Sequence, residues 1–432
     1  MTDVTTFRTE GLGDSTYLLV HAGLAVLVDP QRDIDRFLEV LEETGAELRW
    51  VVETHIHNDY VSGGLAAATK TGAELVMPAA AAPVFRHIPA FHAEKLSHGP
   101  LTLMPLHTPG HTPEHTSYLV EVEGEHGALF SGGSLLVGSA GRSDLLGTPR
   151  AASLARLQYR SIGRLAGLPD DTGLYPTHGA GSFCTASGAG SHTSTIGAER
   201  RTSPVLSHRD EESFVTAHLG NLQPYPTYYS RMAPINLAGP PGMPPLTAAE
   251  ADIGSVGPTD EVVDLRPADE FVAGHHEGSL NIPLASEFGT WFGWIIPAGA
   301  TTYLVSSSPA DTTEALIQLA RVGVDEVAGV ITPPVPMSGV QGRIGTVSDV
   351  PADAQILDVR SPGERADLAP AGSVHRYLPD LVAGVPSAVD ASRPVWVMCG
   401  GGYRAAIGAS ILQSRGYEPV AVTKGGVADL QA

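Results

Sequence analysis

Pro394-Val-Trp-Val-Met398-Cys399-Gly400-Gly401-Gly402-Tyr403-Arg404-Ala-Ala-Ile-Gly-Ala-Ser-Ile-Leu-Gln413 is the stretch that decides the fold of the carboxy-terminal part of the chain. Residues 394–398 form a short apolar run bounded by Pro and Gly, which reads as a buried strand. Residues 404–413 read as a helix whose apolar side faces the sheet. Between them lies a glycine run, free of the Cβ atoms that would keep a tight loop from turning its amides inward. A strand, a Gly-rich loop and a helix N-terminus together favour an anion. In this loop the anion is the thiolate of Cys399, with Arg404 as a nearby cation. The plainer reading is a buried structural cysteine, and the flanking glycines and arginine weigh against it. Cys399 and Arg404 are therefore the candidate catalytic pair, and Gly400, Gly401, Gly402 and Tyr403 the candidate loop.

This C-x-x-G-x-R loop resembles the active loop of rhodanese-type sulfurtransferases. Upstream, Ile356-Leu-Asp358-Val-Arg360-Ser-Pro-Gly-Glu364 resembles the early strand and turn of that family. The resemblance implies that Cys399 accepts a sulfane sulfur, holds it as a persulfide and passes it to a thiol. Val262-Val-Asp264-Leu-Arg266-Pro-Ala-Asp-Glu270 repeats the same pattern about ninety residues earlier. In that earlier unit the strand Tyr303-Leu-Val305 leads into Ser306-Ser-Ser-Pro-Ala-Asp311 instead of a cysteine. A serine without a base is a poor nucleophile and holds no persulfide. The middle unit therefore reads as a rhodanese fold without catalysis.

In the first half, short strands (Thr16–Val20, Ala25–Val28) alternate with helical stretches such as 34–43, the pattern of a layered α/β fold. Trp50-Val-Val-Glu53 runs into Thr54-His55-Ile-His57-Asn-Asp59-Tyr60, which sets two imidazoles and a carboxylate at a strand end. His107-Thr-Pro-Gly-His111-Thr-Pro-Glu-His115 presents His111 on a Gly/Pro-bracketed turn, and Pro176-Thr-His178-Gly-Ala-Gly-Ser-Phe-Cys184 adds another histidine after a strand. A lone histidine is more often structural. Three loops that each carry one after a strand point to a shared metal site.

These residues resemble the metallo-β-lactamase fold, especially its glyoxalase II and persulfide dioxygenase branches. His55, His57, Asp59, His111 and His178 match the family ligand pattern. Tyr60 stands where the family has a second-ion histidine, and Gly133 where it has a bridging aspartate. One ion at most is expected, iron or zinc, with His55, His57 and His111 as the main ligands and Asp59 and His178 as weaker ones. Three readings stay open: an altered iron site, a three-histidine site that favours zinc, and a pseudo-site that holds no ion. Restoring aspartate at position 133 is expected to raise iron occupancy. By the same resemblance Arg142 and Asp144 lie near the substrate sulfur, and Cys184 is a candidate sulfur-binding residue, with a small buried residue as its alternative.

The domain order resembles bacterial persulfide dioxygenase–sulfurtransferase fusions across the chain. The expected architecture is α/β: a metallo-β-lactamase-like αββα sandwich (1–240) followed by two doubly wound rhodanese-like domains (250–340 and 346–432). A Pro-rich linker at 238–245 and a connector at 335–342 divide them. The 432 residues suffice for about three cores. A net charge of −21 argues against non-specific nucleic-acid binding. No apolar run approaches the ~20 residues needed to span a bilayer, and Met1–Arg8 lacks a signal-peptide pattern. Two distant cysteines form no disulfide framework, which fits a reducing cytoplasm. The expected partners are a small-molecule persulfide or thiosulfate and a thiol acceptor, with no nucleic acid and no membrane, in a homo-oligomer.

Overall fold

In a computed structural model the described residues are 3–186, 191–333 and 340–431. Residues 335–339 of the expected connector lie outside them. The chain divides into two compact units, residues 1–244 with 320–323, and residues 245–319 with 324–432.

The first unit contains two six-stranded sheets. One runs in chain order through Asp3–Thr9, Asp14–His21, Leu24–Val28, Glu47–Val52, Glu74–Pro78 and Ile88–Ala90. The other runs Ser194–Thr195, Gly173–Pro176, Glu125–Gly132, Thr116–Val122, Leu101–His107 and Leu96–His98. Alternation along each strand decides which layer a side chain joins. Tyr17, Val26, Trp50 and Val52 from the first sheet pack with Leu103, Tyr118, Val120 and Phe130 from the second to form the central core. The opposite face of the first sheet (Leu18, Leu27, Val51) is covered by Phe37, Leu38 and Leu41 of helix Asp35–Thr44. Leu119 and Leu129 of the second sheet are covered by Ala155 and Ile162 of helix Thr148–Leu165 and by Phe214 and Val215. The layering is αββα, and both sheets are buried on both faces.

The second unit carries two fully parallel sheets. The first has the order Leu280–Asn281, Glu261–Asp264, Thr302–Val305, Gly329–Ile331. The second has the order Ile344–Thr346, Pro419–Lys424, Val395–Met398, Gln355–Asp358, Val374–His375. The sequence repeat is a structural one. Arg266 makes a two-pronged bond to Asp264 (3.0 and 2.6 Å) and reaches the carbonyl of Gly274. Arg360 does the same to Asp358 (2.9 and 2.7 Å) and reaches the carbonyl of Leu368. Among the described residues, no helix is long and apolar enough to cross a membrane.

Candidate functional site

The histidine cluster lies where strand ends of the first unit converge. The segment after Glu47–Val52 carries His55, His57 and Asp59. The turn after Leu101–His107 carries His111, and the segment after Gly173–Pro176 carries His178 and Cys184. Asp14 opens one strand, and Asp29 follows another with its backbone in the left-handed region at φ 50°. All of these side chains are buried.

Hydrogen bonds fix the histidine tautomers. Thr54 Oγ1 donates to Asp29 Oδ2 at 2.7 Å, so it accepts from His55 Nδ1 at 2.9 Å. His178 Nδ1 donates to Asp14 Oδ1 at 2.8 Å, and His111 Nδ1 donates to the carbonyl of Arg142 at 2.7 Å. Each ring therefore keeps its lone pair on Nε2. His111 Nε2 has no hydrogen-bond partner, and the Nε2 atoms of His55 and His178 face each other at 3.3 Å. Two lone pairs at that distance repel unless a cation lies between them. A tetrahedral ion with metal–nitrogen bonds of about 2.05 Å sets its nitrogens about 3.3 Å apart. Burial holds His55 and His111 well below the usual histidine range and lowers His178, which keeps the rings neutral as ligation requires. The residues fit a metal ion.

His57 is anchored through its Nε2. Its Nε2 faces Glu53 Oε2 at 3.1 Å and Asp29 Oδ1 at 3.3 Å, and its ring stacks on Tyr60 at 4.3 Å. Burial disfavours its charge, but the two carboxylates outweigh burial and raise its pKa well above the ordinary value. A donor atom of His57 also lies within 4.8 Å of donors of His55 and His178. Its Nδ1 has no hydrogen-bond partner, and with the proton on Nε2 that atom can still face an ion beside His55 and His178. The hydroxyl of Tyr60 donates to the carbonyl of Asp29 at 3.2 Å and lies 3.0 Å from His57 Nε2.

The Gly133 position is closed. A Cβ there would lie 2.3 Å from His111 Cδ2, so the imidazole occupies the space where a side chain would begin. The Gly133 N–H is taken by His115 Nε2 at 2.9 Å. Asp59 accepts from the Cys184 thiol at 3.4 Å. Burial raises the carboxyls of Asp14 and Asp59 to about 7. Arg142 is saturated rather than free. It binds both oxygens of Asp144 (2.7 and 2.8 Å) and the carbonyls of Phe183 and Gln223, and it stacks on Tyr225 at 4.2 Å. It fastens the segment before Cys184 in place.

In the second unit, Cys399 follows strand Val395–Met398 and is 2 % exposed. The expectation that several loop amides stabilise the sulfur narrows to one: Gly402 N–H donates to Sγ at 3.0 Å. Gly402 has φ 98°, and a Cβ there would lie 2.5 Å from the carbonyl oxygen of Thr423, so only glycine fits. Gly401 meets nothing within 4 Å. Helix Tyr403–Gln413 starts at once, with its positive end toward the sulfur. Arg404 does not bond the sulfur. Both of its terminal nitrogens bind Glu364, at 2.6 and 2.7 Å. Burial would raise the Glu364 carboxyl, but Arg404 outweighs it and pulls the pKa down to about 2. Tyr403 donates to the carbonyl of Pro283 at 2.8 Å, which ties the loop to the earlier repeat.

Residues 10–178 match the metallo-β-lactamase superfamily, and residues 347–432 match the rhodanese-like domain. The chain joins a metallo-β-lactamase domain to a rhodanese-like domain. A solved metallo-β-lactamase from Staphylococcus aureus is 29% identical with a TM-score of 0.71, over 77% of this chain and 99% of that one. A chain described as ETHE1 from Myxococcus xanthus is 29% identical with a TM-score of 0.47, over 55% of this chain and 98% of that one. A hydroxyacylglutathione hydrolase from Methylobacillus flagellatus is 34% identical over 38% of this chain and 60% of its own length. The chain thus spans about 60% of the length of the curated relatives it matches.

Within the metallo-β-lactamase domain, sequence reasoning missed Asp14, Asp29 and Glu53. Asp29 and Glu53 each end a strand beside the histidine motif, a placement that could have marked them. Asp14 carried no local signal. In the rhodanese-like domain, Glu364 was quoted for its motif but not assigned a role.

Proposed function

We propose that the protein acts in sulfane-sulfur metabolism as a sulfurtransferase working through Cys399. The observation that carries this is the Gly402 N–H aimed at Cys399 Sγ at 3.0 Å beneath a helix N-terminus. The Cys399 thiolate attacks the outer sulfur of thiosulfate or of a thiol persulfide. The new Sγ–S bond forms as the donor S–S bond breaks, releasing sulfite or a thiolate. An acceptor thiolate then takes the outer sulfur and returns Cys399 as the thiolate. The Gly402 amide and the helix end favour the anion at both stages. Arg404, locked to Glu364, positions the loop.

In the amino-terminal domain, His178 would hold one ion together with His55 and His57 on one side or with His111 on the other. Such an ion supplies Lewis acidity, and iron adds a redox couple for oxidation of a persulfide. Around it, Thr54, Asp14 and the Arg142 carbonyl orient the rings and keep Nε2 free of protons. Thioester hydrolysis is the second reading, favoured by the likeness to hydroxyacylglutathione hydrolases. Tyr60 and Gly133 leave it without a second-ion histidine and a bridging carboxylate.

The test is sulfur transfer from thiosulfate and from glutathione persulfide to a thiol, in the native chain and in Cys399→Ser. Complete loss with an unchanged fold is expected. Full retention in the variant overturns the assignment. Metal content, measured alongside O2 uptake on glutathione persulfide and hydrolysis of a glutathione thioester, separates the two readings of the amino-terminal domain.

A further inference from the structure

We propose that Cys184 is a metal ligand, standing in for the carboxylate that position 133 lacks. The inference rests on the reading above that the amino-terminal domain holds an ion. Donor atoms of His111, His178 and Cys184 lie within 4.8 Å of one another, and all three residues are completely buried. His111 Nε2 is an unpartnered buried acceptor. The two neutral imidazoles of His111 and His178 leave the charge of a divalent ion uncompensated in this buried cluster, and a thiolate supplies a negative ligand of the kind zinc and cobalt favour. The space at Gly133 is taken by the His111 ring, so no ligand reaches the ion from there.

One residue sets both partners. The carbonyl of Arg142 accepts from His111 Nδ1 at 2.7 Å, and its N–H donates to the carbonyl of Cys184 at 2.8 Å. Its guanidinium holds the carbonyl of Phe183 at 2.8 Å, and Ser182 Oγ accepts from the Cys184 N–H at 3.1 Å. The histidine and the cysteine are therefore fixed to the same residue before any ion arrives. On ligation the S–H bond breaks and the metal–sulfur bond forms. The proton passes to Asp59, whose Oδ2 already accepts from the thiol at 3.4 Å. No electrons are exchanged.

The experiment titrates cobalt(II) into metal-free, full-length Cys399→Ser protein, in which Cys184 is the one remaining cysteine. The expected spectrum shows tetrahedral d–d bands together with a near-ultraviolet sulfur-to-cobalt charge-transfer band. That band can come only from Cys184, so the result does not depend on whether a second variant folds. Cys184→Ser in the same background should keep the far-ultraviolet circular dichroism, lose the charge-transfer band and bind cobalt at least about tenfold more weakly. Cobalt bound with d–d bands but no sulfur band overturns the role of Cys184 and leaves the metal reading standing. No cobalt uptake overturns both.

Discussion

Replacing Gly133 with aspartate should damage the metal site rather than restore it. The new Cβ would lie 2.3 Å from His111 Cδ2, whereas ordinary contact begins at 3.4 Å, so the ring must retreat by about 1.1 Å. That ring is held by the 2.7 Å bond from Nδ1 to the Arg142 carbonyl, in a region with no exposed surface. Overpacking of this kind costs about 1–3 kcal/mol. Leaving the buried donor and acceptor unpaired costs about another 1–3 kcal/mol. The sum, about 2–6 kcal/mol, corresponds to a fall of roughly 4–24 °C in the melting temperature of a unit this size. Losing the partner that orients a ligand lowers metal affinity roughly 10–100-fold. The assay is thermal denaturation together with metal content after reconstitution, with Gly133→Ala as the purely steric control. Equal stability combined with a gain of one equivalent of iron would show that His111 is free to move, and would refute the reasoning.

Two further outcomes follow from the Cys399 loop. Gly401→Ala should leave sulfur transfer within about twofold, because nothing lies near its Cβ, whereas Gly402→Ala should abolish it by colliding with Thr423; equal behaviour of the two variants in a steady-state assay would contradict the loop geometry. Glu364 has its pKa depressed from 4.5 to about 2, so its pairing with Arg404 stabilises the fold above pH 4.5 and fades as pH falls from 4.5 toward 2. Its side chain is 38% exposed, so screening keeps the contribution below about 1 kcal/mol. Urea midpoints of the native chain and Glu364→Gln should therefore converge on acidification, and a gap that widens toward pH 2 would reverse the sign.

Legibility in the sequence followed the range of the interactions. The strand, loop and helix around Cys399 are local, and the Asp-x-Arg pattern at 264–266 and 358–360 carries its own clamp within ten residues. Both were readable from spacing. The histidines were readable as a group because each follows a strand. Their division of labour was not. It depends on Asp14, which lies 164 residues from His178 in sequence, and on Asp29 and Glu53, which hold His57 by its Nε2. The loss at Gly133 was visible, but its consequence was not, since a missing side chain does not announce that a neighbouring ring has filled its place. Arg142 was placed near the substrate sulfur by resemblance alone, and the carbonyls of Phe183 and Gln223 that engage it lie 41 and 81 residues away in sequence.

The two repeats of the second unit separate what makes the fold from what makes the chemistry. Asp264 pairs with Val305 in the first sheet and Asp358 with Met398 in the second, so Ser306 holds the register position of Cys399. The backbone agrees, with Leu265 N–H bonding the carbonyl of Val305 and Val359 N–H that of Met398. The Asp–Arg clamp is present in both repeats, and it serves the fold whether or not a nucleophile follows. Three residues beyond Cys399 stands Gly402, whose N–H reaches the sulfur. Three residues beyond Ser306 stands Pro309, which has no N–H to give. The Ser306 hydroxyl turns instead to the carbonyl of Ser308 at 3.0 Å. The earlier repeat therefore lacks both the nucleophile and the donor that would stabilise it. Ser306→Cys in a Cys399→Ser background should leave sulfur transfer at the level of Cys399→Ser alone. Recovery of turnover in that double variant would mean that the helix end suffices and that the Gly402 amide is dispensable.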